Sequence, residues 1–264
     1  MPKIKVNNLI KYLNDIFPQV TAAEWDKVGF QIEEVYNLPS QDEIDTVVVC
    51  LDVTKEVIEK AIELKSNFII SRHPFLFNSL EEEMKNSAKR RMRNLLIEHE
   101  IQVFSIHTNY DCSVSQNIIE LLSTQFNIKK VEKVGETNEG YKINLLNDVT
   151  LKELVDKMKF IFGRKQANLT KNIDLEKFVK KFYLTTGSGA STMSYLELEN
   201  EVFITGEAKW DQWLYADQNN IDLITVGHYM ENHFIDDIKN KLLKTFNDDL
   251  KICAFDIKNT FIIY

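Results

Sequence analysis

Cysteine is scarce in this chain. Three residues in 264, Cys50, Cys112 and Cys253, are too few and too scattered for a disulfide framework. Cys50 and Cys253 lie in apolar runs and read as buried, inert thiols; Cys112, directly after Asp111, is read the same way, a reactive thiol being the rarer case. An excess of positive charge is also lacking. The net charge of −8 argues against a general nucleic-acid binder, which needs a basic footprint. No apolar run approaches the roughly 20 residues of a membrane-spanning helix. Met-Pro-Lys-Ile-Lys-Val contains no signal-peptide core, so a cytoplasmic location is expected, with no membrane partner. Neither an internal repeat nor a low-complexity segment interrupts the chain. What is present, 44% hydrophobic and 27% charged residues, describes an ordinary globular protein with room for one large α/β domain or two smaller ones.

Histidine is sparse too, with five residues, but four of them fall in three short motifs that each follow an apolar or β-branched run. These are Ser71-Arg72-His73-Pro74, His107-Thr108-Asn109-Tyr110-Asp111, and Gly227-His228-Tyr229 with Glu231-Asn232-His233 behind it. Histidine is the commonest metal ligand and titrates nearest neutral pH, so the concentration suggests one polar site drawn from distant segments.

Hydrophobic periodicity orders the elements. Leu9, Ile10, Leu13, Ile16 and Phe17 have helical spacing that Pro18 ends. Strands are expected over 45–52, 67–70 and 101–106. Helices are expected from the Thr54 cap to Leu64, from the Ser79 cap over 80–99, and over 114–126. A polar region over 127–139 marks a lobe boundary. Beyond it come strands over 141–146, 178–184, 202–204, 221–226 and 250–257. Helices are expected over 151–162, 209–217 and from Gly227-His228 to about Phe246. Strands alternating with helices imply α/β architecture with largely parallel or mixed sheets. Two lobes are expected, 1–128 with about 201–264, and about 129–200. In such sheets ligands bind beyond the carboxyl ends of strands, where the polar motifs fall.

His73, Asp111 and His228 can supply two imidazoles and a carboxylate to a metal. Spacing does not prove that they converge. A turn histidine before Pro74, a helix-capping Asp111 and a loop histidine at 228 explain the same residues. The ordered set of motifs adds a resemblance. Trp25-Asp26-Lys27-Val28-Gly29, Arg72-His73-Pro74-Phe75-Leu76-Phe77, Ile106-His107-Thr108-Asn109-Tyr110-Asp111, Thr186-Gly187-Ser188-Gly189, Ile204-Thr205-Gly206-Glu207 and Gly227-His228-Tyr229 occur in sequence. Together, from about Leu9 to Asp256, they resemble the NGG-one-interacting-factor-three-like family, also known as GTP cyclohydrolase I type 2 homologues.

The resemblance implies two α/β lobes, with the first and last segments sharing one. It also implies a toroidal homohexamer and a dinuclear metal centre. The implied ligands are a His-His pair, an Asp after the His-Thr-Asn segment, and a His with a Glu four residues on. Two of these positions are degenerate. Arg72 replaces the first His and has no lone pair to give. Asn232 replaces the Glu, and Glu231 could substitute only with local rearrangement, since one α-helical residue is about 100° of azimuth. The expectation is therefore one divalent ion per subunit, zinc, iron or manganese, on His73, Asp111 and His228, with the Arg72 guanidinium paired to Asp111 in place of a second ion.

Other features are weaker. Gly187, Ser188 and Gly189 form an anion-binding loop or simply a turn, and without a P-loop lysine they do not predict nucleoside triphosphate binding. Lys85, Lys89, Arg90, Arg91 and Arg93 follow Glu81-Glu82-Glu83, an order the helix dipole favours by itself; a phosphate-bearing ligand is the alternative. Trp210 and Trp213 read as core or subunit packing. His107 and Glu207 are the candidate proton-handling groups, Glu207 equally a cap for the helix after it. Two functions remain open: a metal-dependent hydrolase-like enzyme acting on a small molecule, and a non-catalytic ring that binds a metal or partner. Nucleic-acid binding is the least favoured.

Overall fold

The protein is described by a computed structural model covering residues 3–36, 38 and 42–256. The chain divides into two compact units, 1–115 with 234–264, and 116–233. Ile257, the expected end of the last strand, lies outside the described residues.

The first unit begins with β1 (Ile4–Lys5), α1 (Val6–Ile16), β2 (Gly29–Phe30), α2 (Glu33–Tyr36) and β3 (Glu43–Ile44). It continues through β4 (Thr46–Cys50), α3 (Lys55–Leu64), β5 (Phe68–Ser71), α4 (Leu80–Glu83), α5 (Ser87–Glu98), β6 (Gln102–Ser105) and α6 (Thr108–Cys112). In α1 the spacing of Val6, Leu9 and Leu13 makes one buried stripe, extended by Phe17 beyond its end. Val47, Val48 and Val49 suit a strand covered on both faces, and every residue of β4 is buried. Thr54 caps α3 by accepting from Val57 N. The expected single helix over 80–99 is two. Ser79 caps α4, but Asn86 then accepts from the backbone N–H of Ala88 and Lys89 and starts α5 afresh.

The second unit contains α7 (Ile118–Ser123), β7 (Ile128–Val134), β8 (Gly140–Thr150), α8 (Leu151–Ile161), β9 (Asn168–Leu169), β10 (Phe178–Leu184), α9 (Thr192–Tyr195), β11 (Val202–Thr205), α10 (Trp210–Gln218) and β12 (Asp222–Thr225). A 3₁₀ turn, His228–Asn232, leads into α11 (His233–Phe246), and β13 (Lys251–Phe255) returns to the first unit. The polar stretch expected to be a lobe boundary is instead β7, an edge strand paired antiparallel with β8 and too solvated to show a hydrophobic pattern.

Among the described residues the first unit's main sheet runs β13-β4-β5-β6-β2, parallel except for β2. The second unit's sheet runs β7-β8-β10-β11-β12-β9, with β10, β11 and β12 parallel. Period-two burial organises this second sheet. Phe182, Leu184, Ile204 and Ile224 join one apolar cluster, while Tyr183, Phe203 and Leu223 join another. The expected assignment of 201–264 to the N-terminal lobe differs from this pairing, because β11 and β12 are hydrogen-bonded to β10. Only from Phe234 does the chain rejoin the first unit. Both sheets place polar motifs beyond strand carboxyl ends: residues 72–73 follow β5, 107–111 follow β6, 185–189 follow β10, 206–207 follow β11 and 227–228 follow β12.

Candidate metal site and histidine environments

In the first unit, Arg72 leaves the end of β5 and is 1% exposed, which makes it the largest fully buried side chain of the described residues. Its Nη2 donates to both Asp111 oxygens, at 2.8 and 2.7 Å, and Nη1 donates to the His107 carbonyl. Both contacts come from one nitrogen, and as charge-assisted bonds they are among the stronger kind a carboxylate accepts. Tyr110 lies under the guanidinium at 5.4 Å, and its hydroxyl donates to Asp237 Oδ2 at 2.8 Å. Burial, reinforced by the Asp237 charge, holds the Tyr110 hydroxyl well above its ordinary range. Asp111 lies within α6, so its carboxylate meets Arg72 rather than capping a following helix.

His73 and His107 share a design. Asp52 Oδ1 meets His73 Nδ1 at 2.7 Å, and Asp26 Oδ1 meets His107 Nδ1 at 3.0 Å. The two rings are 5.5 Å apart and nearly perpendicular. Phe77 and Trp25 rings lie 5.7 and 5.8 Å from the His107 ring. The Asp26 side chain is fully buried. Burial opposes its charge, but hydrogen bonds from His107 and Thr108 more than offset that and hold the carboxyl below the ordinary aspartate value. Asp26 and Asp52 escaped the sequence reading as site residues. The Trp-Asp motif was its only signal for the first, and Asp52 carried none.

In the second unit, His228 has a carboxylate on each ring nitrogen. Nδ1 is 3.1 Å from Glu207 Oε1, and Nε2 is 3.0 Å from Glu231 Oε2. A neutral imidazole has one N–H and one lone pair, so it can satisfy only one such acceptor. The arrangement calls for an imidazolium or for a cation shared by the nitrogen and the oxygen. Two donors each about 2.1 Å from one tetrahedral ion are about 3.4 Å apart, so the 3.0 Å Nε2–Glu231 contact is that of a hydrogen bond which a small outward shift would open to an ion. Glu207 on Nδ1 is then the orienting carboxylate that metal-ligating histidines usually have. Glu207 does not cap α10, whose first turn is closed by Gln212 Oε1 accepting from Lys209 N.

Glu231 reaches His228 because of the local winding. In an α-helix positions 231 and 232 would both lie on the face of residue 228, but residues 228–232 form a 3₁₀ turn. With three residues per turn, positions i and i+3 eclipse, so Glu231 comes under the ring and Asn232 is carried off that line. Gly187 makes room for it. A Cβ there would lie 2.4 Å from Glu231 Oε1, and the residue's φ is +58°. The anion against the Gly187 turn is thus the chain's own carboxylate. Gly206 is needed for a different reason: its Cβ would lie 2.5 Å from the Gly187 carbonyl oxygen.

The basic cluster is largely engaged within its own unit. Lys85 pairs with Glu82, Lys89 with Glu83 at 3.7 Å, Arg93 with Glu34, and Arg90 donates to the Met84 carbonyl. Trp210 is exposed, whereas Trp213 packs in part against an apolar cluster of the second unit.

A family model described as Duf34/NIF3 (NGG1p interacting factor 3) matches residues 4–260. The chain belongs to this family. A GTP cyclohydrolase 1 type 2 homolog of Mycoplasmopsis pulmonis is 31% identical over 252 residues, covering 94% of this chain and 96% of its own length. A protein NIF3 homolog of Schizosaccharomyces pombe is 26% identical over 267 residues, 94% of this chain and 93% of that one. A Bacillus cereus protein related to NIF3 superimposes with a TM-score of 0.83 over the whole of both chains at 17% identity. A hypothetical protein of Staphylococcus aureus gives 0.81 at 22% identity, covering 98% and 99%. These last two likenesses bear on the fold, and they agree with the family membership. No helix among the described residues is long and apolar enough to cross a membrane.

Proposed function

We propose that this member of the family binds one divalent ion per subunit and uses it in a hydrolase-like reaction, as a homohexameric ring in the cytoplasm. The observation that carries the reading is His228, held between two carboxylates that one neutral imidazole does not satisfy. Its Nε2 and Glu231 are the candidate ligands of the second unit. His73, its Nδ1 held by Asp52, is an imidazole donor of the first unit considered by itself. Imidazole and carboxylate donors suit zinc, iron and manganese alike. Asp111 stands outside the proposed ligands, because both its oxygens are bound by Arg72. A bound ion would polarise a substrate oxygen or acidify a water. A cyclohydrolase, the word in several relatives' names, opens a ring by adding water, and an activated water serves that chemistry.

Elemental mass spectrometry on untagged protein purified without chelator tests the reading. One ion per chain is expected, with light scattering giving the mass of six chains. Two ions per chain would overturn the single-ion stoichiometry. No ion after reconstitution with zinc, iron and manganese would overturn metal binding. That result would favour a non-catalytic ring, a reading that the permanent cation of Arg72 already supports in part.

A further inference from the structure

We infer that Asp26 is a positioning residue that fixes His107 in one tautomer, with Nδ1 protonated and Nε2 presented as a lone-pair acceptor to water or substrate. The reaction it would serve is the one proposed above; the tautomer itself requires no metal.

The argument runs from the donors around Asp26. Thr108 N donates to Asp26 Oδ2 at 3.0 Å, and the Thr108 hydroxyl donates to the same oxygen at 2.5 Å. The hydroxyl's direction is set in turn, because Thr108 Oγ1 accepts from Ala23 N at 2.9 Å and must point its proton at Asp26. The other oxygen, Oδ1, faces His107 Nδ1 at 3.0 Å. A buried carboxylate held ionised by these bonds is an acceptor only, so the Nδ1 it faces carries the proton. Among the described residues Nε2 has no hydrogen-bond partner, while Trp25 and Phe77, both exposed aromatics, lie against the ring. The Trp25-Asp26 motif and the His107-Thr108 motif are thus two halves of one device.

The geometry makes the conservative substitution diagnostic. In Asp26→Asn the amide cannot choose its orientation freely. Two donors from Thr108 face the Oδ2 position and require the carbonyl oxygen there. The amide NH₂ must then occupy the Oδ1 position and donate to His107 Nδ1, which drives the ring proton to Nε2. The variant keeps size and packing but inverts the tautomer, so Nε2 changes from acceptor to donor.

The test is long-range ¹H–¹⁵N spectroscopy on the full chain carrying ¹⁵N-histidine, at about pH 9 where imidazoles are neutral. His107→Gln assigns the signal. The expected wild-type signature is a protonated Nδ1 and an unprotonated Nε2, reversed in Asp26→Asn. Thr108→Val removes the hydroxyl and keeps the N–H, and the wild-type signature should persist. An Nε2-protonated ring in the wild-type protein overturns the inference, as does an unchanged tautomer in folded Asp26→Asn. Should Asp26→Asn fail to fold, the wild-type spectrum alone decides. Metal content is expected to be equal in wild type and Asp26→Asn, so failure of the metal reading would leave this result standing, and the reverse.

Discussion

The histidines of the two units differ in what meets their second nitrogen. His107 has a carboxylate on Nδ1 and, among the described residues, no hydrogen-bond partner on Nε2. His228 has carboxylates on both. The units differ likewise in how a buried carboxylate is compensated. Asp111 has a covalently built-in cation, Arg72, whereas Glu231 is 4% exposed and rests against an imidazole. A guanidinium is always charged, so the first arrangement is complete without a ligand. In the second, the imidazole of His228 is neutral or charged according to its proton, so an added proton or metal ion changes the balance between it and its two carboxylates. The comparison teaches that a carboxylate can be met by a permanent cation in one unit and by a titratable imidazole in the other.

The largest expected effect breaks the first arrangement. Arg72→Met strands the Asp111 carboxylate and should cost about 3–5 kcal/mol in urea unfolding. Arg72→Met with Asp111→Leu should recover most of that, and a double variant no more stable than the single one would sink the account. The second unit is tested through its metal. Glu231→Gln should lower zinc affinity about 10- to 100-fold by calorimetry, a loss like that of an outer-shell partner or more. Unchanged affinity would remove Glu231 from the ligands. Gly187→Ala should cost about 1–3 kcal/mol, since φ is positive and the new Cβ collides with Glu231. It should also weaken zinc binding, and loss of stability with intact binding would separate the turn from the site.

The smallest effect concerns pH. The folded Asp26 carboxyl is held below its ordinary 3.8, so the unfolded chain binds the proton more tightly. Its contribution is present above pH 3.8 and fades as pH falls through the lower folded value. The stability gap between wild type and Asp26→Asn should therefore shrink in acid below that point, measured by thermal unfolding. A gap that widens there contradicts the sign.

Much of the fold was legible because local chemistry is decisive where apolar residues repeat. The fully buried β4, the stripe of α1 and the caps at Thr54 and Ser79 all follow from residue type and spacing. The break between α4 and α5 was harder, since Asn86 sits among helix-forming residues and acts only through its cap bonds. β7 was hidden for the opposite reason. An edge strand with Lys129, Lys130, Glu132 and Lys133 takes its identity from pairing with β8, not from burial. The unit boundary was misplaced because sequence cannot say which sheet β11 and β12 join.

Sequence by itself determined the side-chain types available: which positions carry a lone pair, that Arg72 cannot ligate a metal, and that carboxylates at 26, 111, 207 and 231 were at hand. It also determined that the polar motifs follow strands. Tertiary structure decided the partners, because pairing depends on distances between residues far apart in the chain. Asp26 reaches His107 across 81 positions, and Arg72 reaches Asp111 across 39. At Glu231 even a neighbour three residues away was undecided by spacing. There the 3₁₀ winding, in which i and i+3 eclipse, put the Glu231 carboxylate rather than the side chain of position 232 against His228.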